Sequence, residues 1–390
     1  MAKFGLDKLV SGFPEPLLGK RVGVVCHAAS VDSSYRHVID ILADCGKCTL
    51  AAIFGPQHGL FGQTQDNMVE WEGSVHPLLK IPVYSLYGER RKPSQKMLDG
   101  LDALLFDVQD VGARPYTYVW TLKHCMEACA ERGIPVWALD RPNPIGLVGI
   151  DGPMLSEDFF SFVGGAAIPL CHRMTMGEMA LLIKKLYVPD ADVNVVWMDG
   201  WLRGSLWSDT GLPWVLPSPN MPTLDTAVVY PGQVLLEATN ISEGRGTTRP
   251  FELFGTPFIN AGEVIPILQK SNLPGCLFRE HGFIPTFQKW AGQFCGGIQI
   301  HVTDAAAFRP VQTTAAILGA LIKLYGNQFK FKVPPYEYEY DKMPFDILAG
   351  DTNMREALLA GESAEDMRAR WEKDYGAWRE LFNSVAHYQE

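Results

Sequence analysis

Short apolar runs punctuate the first half of the chain, and each ends in a polar or glycine-containing break. "RVGVVCHAA" from Arg21, "TLAAIFG" from Thr49, "IPVYSLYG" from Ile81, "ALLFDVQDVG" from Ala103, "IPVWALD" from Ile134 and "VNVVWMD" from Val193 read as strands. They are short, rich in β-branched and aromatic residues, and bounded by turn formers. Between them the apolar spacing lengthens to the helical period. It predicts a helix over 31–43, where Val38, Ile41 and Leu42 share a face, a short helix opened by Pro93, and longer ones over 118–132 and 175–186. Strands that alternate with helices predict a parallel sheet covered on both faces.

The second half changes rhythm. Residues 201–249 are rich in proline and loop formers, and predict a linking stretch that lines a cleft. From Phe251 the pattern turns α+β. "GGIQIHVTD" alternates like a half-buried strand, 311–324 reads as a helix, and "SAEDMRARWEKDYGAWRELF" reads as a final amphipathic helix. Met367, Trp371, Tyr375 and Trp378 mark the buried face of that helix.

Polar residues gather where the strands stop: His27 and Ser30, Gln57 and His58, Glu89 and Arg90, Asp107 and Asp110, Asp140 and Arg141. In an open α/β sheet ligands sit outside the carboxyl ends of the strands, so these ends describe one site. The loop "GPQHGLFGQTQDN" after the second strand forms one wall of it. The run "FDVQDVGARPYTY" brings Asp107, Asp110, Arg114 and Tyr116 together, a set able to orient a polyol and handle protons. A structural alternative stands beside it, with Asp110 capping the next helix and Arg114 paired to Asp107. "EATNISEGRGTTRPFE" adds Glu237, Asn240, Glu243, Arg245 and Arg249, and "SPNMPT" adds Asn220. His58 and His172 are further candidates for ligand contact.

Composition narrows the chemistry. The 390 residues carry a formal net charge of −10, and 47% are hydrophobic, which describes a globular chain with a real core. An acidic balance argues against nucleic acid or an anionic membrane as the main partner. No long apolar run predicts a membrane span, and the N-terminus lacks a signal-peptide pattern, so a cytoplasmic location is expected. Cys45 and Cys48 have no second pair at zinc-ribbon spacing, and reduced thiols are the expected state. No G-x-G-x-x-G follows the first strand, and no G-x-x-x-x-G-K-[ST] occurs. His-x-x-x-His, His-x-Glu and G-x-S-x-G are missing too. Nucleotide, metal and serine-hydrolase chemistry therefore lack their motifs, and no cofactor is expected.

Taken together, "GPQHGLFG", "VYSLYG", "FDVQDVGARPYTY", "LDRPNP", "IPLCHRMTMGEMA", "SPNMPT", "EATNISEGRGTTRPFE" and the tryptophan-rich last helix resemble the exo-acting β-N-acetylmuramidases of glycoside hydrolase family 171. The resemblance covers almost the whole chain. It implies a Rossmann-like parallel-sheet domain over 1–215, a smaller α+β domain over 216–390 and a cleft between them. The implied reaction removes N-acetylmuramic acid from the non-reducing end of peptidoglycan fragments, a small sugar or muropeptide substrate. One departure matters. The family usually shows Pro-Glu-His-Gly where this chain has Pro56-Gln57-His58-Gly59. Glutamine cannot give or take a proton, and glycoside hydrolysis ordinarily uses two carboxyl groups. Asp66, Glu70 or Glu72 could replace the lost one. Both could lie elsewhere, among Asp107, Asp110, Asp140, Glu237 and Glu243. Gln57 could orient a 2-acetamido group for substrate assistance, or the chain could bind sugars without turnover. The expectation taken forward is catalysis by Asp107 or Asp110 with Glu243. Gln57, His58, Arg114, Tyr116, Asp140, Arg141, Asn220, Asn240, Arg245 and Arg249 are expected to hold substrate, with an arginine on the lactyl carboxylate.

Overall fold

The computed structural model describes residues 2–66 and 68–389. Its centre is a seven-stranded sheet built from β1 (Arg21–Cys26), β2 (Thr49–Gly55), β3 (Ser74–Val75), β4 (Pro82–Ser85), β5 (Ala103–Asp107), β6 (Val136–Leu139) and, after a short antiparallel pair β7 (Asp151–Met154) and β8 (Pro169–Cys171), β9 (Val193–Val196). The order across the sheet is β3-β4-β2-β1-β5-β6-β9, and every pairing but β3–β4 is parallel. Setting aside the two-residue β3, this is the doubly wound order, which reverses between β1 and β5 and opens a crevice at their carboxyl ends. All of β5, and β1 beyond Arg21, is buried. That fits strands covered on both faces, whose side chains must be apolar in both directions.

The six strands read from the apolar runs are present; β2 spans its whole run and the other five are shorter than theirs. Helices differ more. The first covers only Val38–Asp44, because 31–37 forms a turn closed by a Val31–His37 bridge. Asp7 holds that turn by accepting from both the backbone and the hydroxyl of Ser33, and His37 then caps Ile39. The segment after Pro93 makes a single 3-10 turn, Gln95–Leu98. By contrast, Met176–Leu186 begins as its sequence requires: Thr175 and Glu178 form a reciprocal capping box.

The proline-rich stretch is less irregular than expected. It contains a helix, Leu224–Gln233, capped by Thr223 and followed by a 3-10 turn, Val234–Ala238. Pro231 lies inside it, at the eighth of its ten residues, where a proline gives up one helix hydrogen bond. Beyond it, β10 (Leu253–Thr256), β11 (Cys276–Glu280) and β12 (Gly296–Val302) form a small antiparallel sheet ordered β10-β12-β11. Helix Pro310–Tyr325 packs against Leu224–Gln233 and against the last helix, Ala364–Asn383. Met367, Trp371, Tyr375 and Trp378 of that last helix are buried together. Tyr375 also donates to the Gly152 carbonyl at 2.8 Å, fastening the helix to β7. Among the described residues no helix is long and apolar enough to cross a membrane.

Candidate active site

A pocket lies beyond the carboxyl ends of β2 and β5, and residues 218–221, 230–251 and 336–337 close it. The pocket is tight, with about 40 Å³ of open space inside it. Gln57, His58, Tyr116, Thr117, Glu237, Arg245 and Glu337 all line it.

The glycine-rich loop after β2 spends much of its polarity on its own shape. His58 sits at φ 71°, and its Nδ1 lies 2.8 Å from the Thr64 carbonyl. Burial lowers the His58 pKa to about 4, so it stays neutral. Trp71 donates to the Pro56 carbonyl at 3.1 Å. Gln57 points inward, with Thr117 Oγ1 donating to its Oε1 at 2.6 Å. That contact fixes the amide, leaving its N–H end to the carboxyl of Glu337. Tyr116 and Tyr118 leave the end of β5 and reach the proline-fixed loop. Tyr116 donates to Ser218 Oγ, and Tyr118 to the Pro217 carbonyl, each at 2.8 Å. Asn220 Nδ2 answers with a 2.6 Å bond to the Gln65 carbonyl.

The opposite wall carries the charge. Arg245 Nη2 donates to Glu237 Oε1 at 2.7 Å, and Tyr336 donates to Glu237 Oε2 at 2.7 Å. The guanidinium lies over the Phe251 ring, 5.1 Å from its centroid. Arg245 Nη1 and Nε are buried without a hydrogen-bond partner. Unmet donors on a buried guanidinium are costly in an empty pocket and favourable for an anion.

Glu337 arrives on an unusual turn. Tyr336 and Glu339 exchange two backbone hydrogen bonds at 2.9 Å, and the residues between them have φ 44° and 68°. This is the backbone of a type I′ turn, ordinarily built from Asn and Gly. Glu337 and Tyr338 occupy it instead, at a cost of about 1–2 kcal/mol per non-glycine residue. The surroundings hold it there: Tyr87 donates to Glu337 Oε2 at 3.1 Å, and Tyr338 donates to Glu70 at 3.0 Å. Burial and the negative charge of Glu237 push the Glu337 carboxyl up to about 7.

Of the residues singled out from sequence, Gln57, His58, Tyr116, Asn220 and Arg245 line the pocket, and so does the alternative carboxylate Glu237. The rest are placed elsewhere. Arg141 grips Asp107 with two bonds, of 2.6 and 2.9 Å, and also donates to the Val31 carbonyl. Arg114 therefore does not pair with Asp107. It ties four carbonyls, those of Pro153, Ile168, Leu348 and Ala349, at 2.8–3.0 Å. Asp110 accepts from the Gly112 N–H at 2.7 Å and has His172 Nε2 at 3.7 Å, and burial raises its carboxyl to about 7. Asp140 receives Gly177 N, Thr175 Oγ1 and Tyr388 Oη, anchoring a helix start and the C-terminus. Glu243 pairs with Lys289 at 2.7 Å and stands 3.7 Å from Arg245 Nε. Asn240 bridges to Gln328 and Lys330, and the half-exposed Arg249 pairs with Glu252. Asp66 accepts a bond from Gln288.

Pocket residues that escaped the sequence reading include Thr117, Val163, Tyr230, Phe251, Tyr336 and Glu337. The usable signal was "PPYEYEYDK", where aromatic and acidic residues alternate behind a proline pair. Among the described residues no cluster of three or more His, Cys, Asp or Glu side chains could hold a metal.

Family models for the two parts of the exo-β-N-acetylmuramidase NamZ match this chain, the N-terminal one over residues 22–225 and the C-terminal one over 228–388. The peptidoglycan β-N-acetylmuramidase NamZ of Bacillus subtilis (strain 168) is 44% identical over 369 residues, 95% of this chain and 87% of that protein. Two crystal structures of DUF1343 family proteins from Bacteroides fragilis NCTC 9343 superpose over all of this chain and 99% of theirs. One has a TM-score of 0.89 at 31% identity, the other 0.76 at 28%.

Proposed function

The chain belongs to the exo-β-N-acetylmuramidase NamZ family, and from that premise we propose that it is an exo-acting glycoside hydrolase that releases terminal β-N-acetylmuramic acid from peptidoglycan fragments. The observation that carries this reading is a pair of buried carboxyls in one pocket, held in unlike surroundings. Glu337 is pushed up to about 7, so a large share of it holds a proton near neutral pH, as a general acid requires. Glu237 is ion-paired to Arg245 and supplies the second carboxyl.

In this reading Glu337 gives its proton to the glycosidic oxygen as the bond to C1 breaks. Glu237 stabilises the positive charge that develops at C1. Water then adds to C1 and returns a proton to the carboxylate. The unmet donors of Arg245 take the lactyl carboxylate, the group that separates muramic acid from other amino sugars. Gln57 need not move a proton: fixed by Thr117, it orients Glu337.

The test is turnover of a chromogenic β-N-acetylmuramide by the wild type, Glu337→Gln and Gln57→Glu. Activity in the wild type that is lost in Glu337→Gln supports the assignment. A silent wild type beside an active Gln57→Glu would return the acid to the loop after β2. We also place the protein in the cytoplasm, acting on imported wall fragments. All eight cysteines stand as free thiols, although Cys45 and Cys48 bring their sulfurs within 3.7 Å, where an oxidising compartment would join them. Finding that disulfide in protein from freshly lysed cells would count against this location.

A further inference from the structure

A second cavity adjoins the pocket, and Glu337 lines both. It is an open groove of about 790 Å³, against about 40 Å³ inside the pocket. The sill between them is aromatic. Tyr87, Phe162 and Tyr338 meet there with centroids 5.7–6.3 Å apart. The type I′ turn sets adjacent side chains to different tasks: Glu337 bonds to Tyr87, and Tyr338 forms groove wall under Arg91.

Five glutamates line the groove, Glu89, Glu127, Glu131, Glu337 and Glu339, beside three cations, two of which have no carboxylate partner among the described residues. Lys92 is paired, to Glu131 at 2.5 Å and Glu127 at 4.0 Å. Arg90 has no ion pair or hydrogen bond among the described residues, and the contacts of Arg91 are with two rings, Tyr338 at 4.0 Å and Phe162 at 5.4 Å. Aromatic faces stack on pyranose rings, and a guanidinium fork recognises carboxylates.

We propose that this groove is the leaving-chain subsite: it holds the part of the glycan that departs after cleavage, at least two sugar units long, with its lactyl or peptide carboxylate on Arg90 and Arg91. The inference rests on the glycosidase reading of the pocket. The pocket takes one terminal sugar, the scissile oxygen lies at the sill beside Glu337, and the rest of the chain lies outward along the groove. Such an enzyme prefers long fragments, because the groove fills only when the leaving group carries an acidic sugar of its own.

The experiment compares kcat/KM on the disaccharide MurNAc-GlcNAc and on the tetrasaccharide (MurNAc-GlcNAc)2, for the wild type and the double variant Arg90→Ala/Arg91→Ala, with thermal melting to verify folding. The wild type should favour the tetrasaccharide by about tenfold, and the ratio should fall toward unity in the variant. Equal use of both substrates by the wild type overturns the proposal, and so does a ratio that survives the substitutions. If no muramide is cleaved, the glycosidase reading fails by itself. Calorimetry with the trisaccharide GlcNAc-MurNAc-GlcNAc then decides the groove: binding that the double variant loses upholds an anionic-glycan subsite, and no binding to the wild type overturns it.

Discussion

Two buried arginine–carboxylate pairs in this molecule look alike on paper and do opposite things. Asp107 and Arg141 meet at the end of β5, fully buried, and the carboxylate receives two bonds while the arginine also reaches the Val31 carbonyl. Glu237 and Arg245 meet in the pocket through one bond of 2.7 Å, and two guanidinium nitrogens of Arg245 are left unmet. The first pair is closed on itself and holds the sheet end to the first turn of the chain. The second keeps capacity in reserve for something that is not protein. Burial and charge are alike in these two pairs; what differs is the hydrogen-bonding capacity left over on the arginine.

The largest way to sharpen that contrast is Glu337→Gln. Removing the proton donor should lower kcat by about 10²–10⁴-fold with the fold intact. Retention of more than a tenth of the wild-type rate would remove Glu337 from the chemistry. Next comes Asp107→Asn, which should leave kcat/KM of the surviving folded enzyme near normal but cost about 3–5 kcal/mol in urea unfolding, because Arg141 stays buried and uncompensated. A loss below 1 kcal/mol would show the pair to be less closed than its geometry indicates. Arg245→Lys keeps a cation beside Glu237 but removes the fork, so KM for muramides should rise about tenfold, with little change in melting. An unchanged KM would put the lactyl group elsewhere.

The pH dependence follows from Glu337. Its folded pKa is raised from 4.5 to about 7, so the folded chain holds a proton there that the unfolded chain has already released. Stability from this group is present below about 4.5 and is lost as pH rises through about 7. Glu337→Gln should therefore melt progressively further above the wild type as pH is raised through that window, with a constant difference beyond it. Over the same range the wild-type rate should fall as pH passes about 7, since the acid loses its proton. A difference in melting that is flat with pH would contradict both statements. The smallest expected effect separates two inactive proteins. Asn tolerates the left-handed backbone better than Gln, so Glu337→Asn should be the more stable by about 0.5–1 kcal/mol.

Much of the scaffold was legible because it depends on local pattern. The run Ala103–Phe106 could only be an inner strand, the Thr175–Glu178 spacing announced a helix start, and Met367, Trp371, Tyr375 and Trp378 announced a buried face. The location of the pocket was also legible, since polar residues collected at the strand ends and Gln57, His58 and Tyr116 do line it. What local pattern could not separate was one buried carboxylate from another. Asp107 closes its strand like a catalytic residue, and nothing near it in sequence reveals Arg141 as its partner. Glu337 is the reverse case. It lies 280 residues from Gln57, in a stretch that alternates like an exposed loop, and only the tertiary fold turns it inward beside Tyr87. Pro231 misled for a simpler reason: a proline inside a helix reads as a break, and here the helix runs through it because its residues from Thr226 to Gln233 are buried against the core.

If Arg245 takes the lactyl carboxylate as proposed, the pocket is open to small carboxylates from solution as well. Acetate, citrate and, above all, lactate carry the carboxylate that this guanidinium lacks, and lactate also copies the side arm of muramic acid. Measured rates will then depend on which buffer salt sets the pH. A zwitterionic buffer should give the highest activity, lactate should act as a weak competitive inhibitor, and a cell rich in fermentation acids would slow the enzyme without any dedicated regulator.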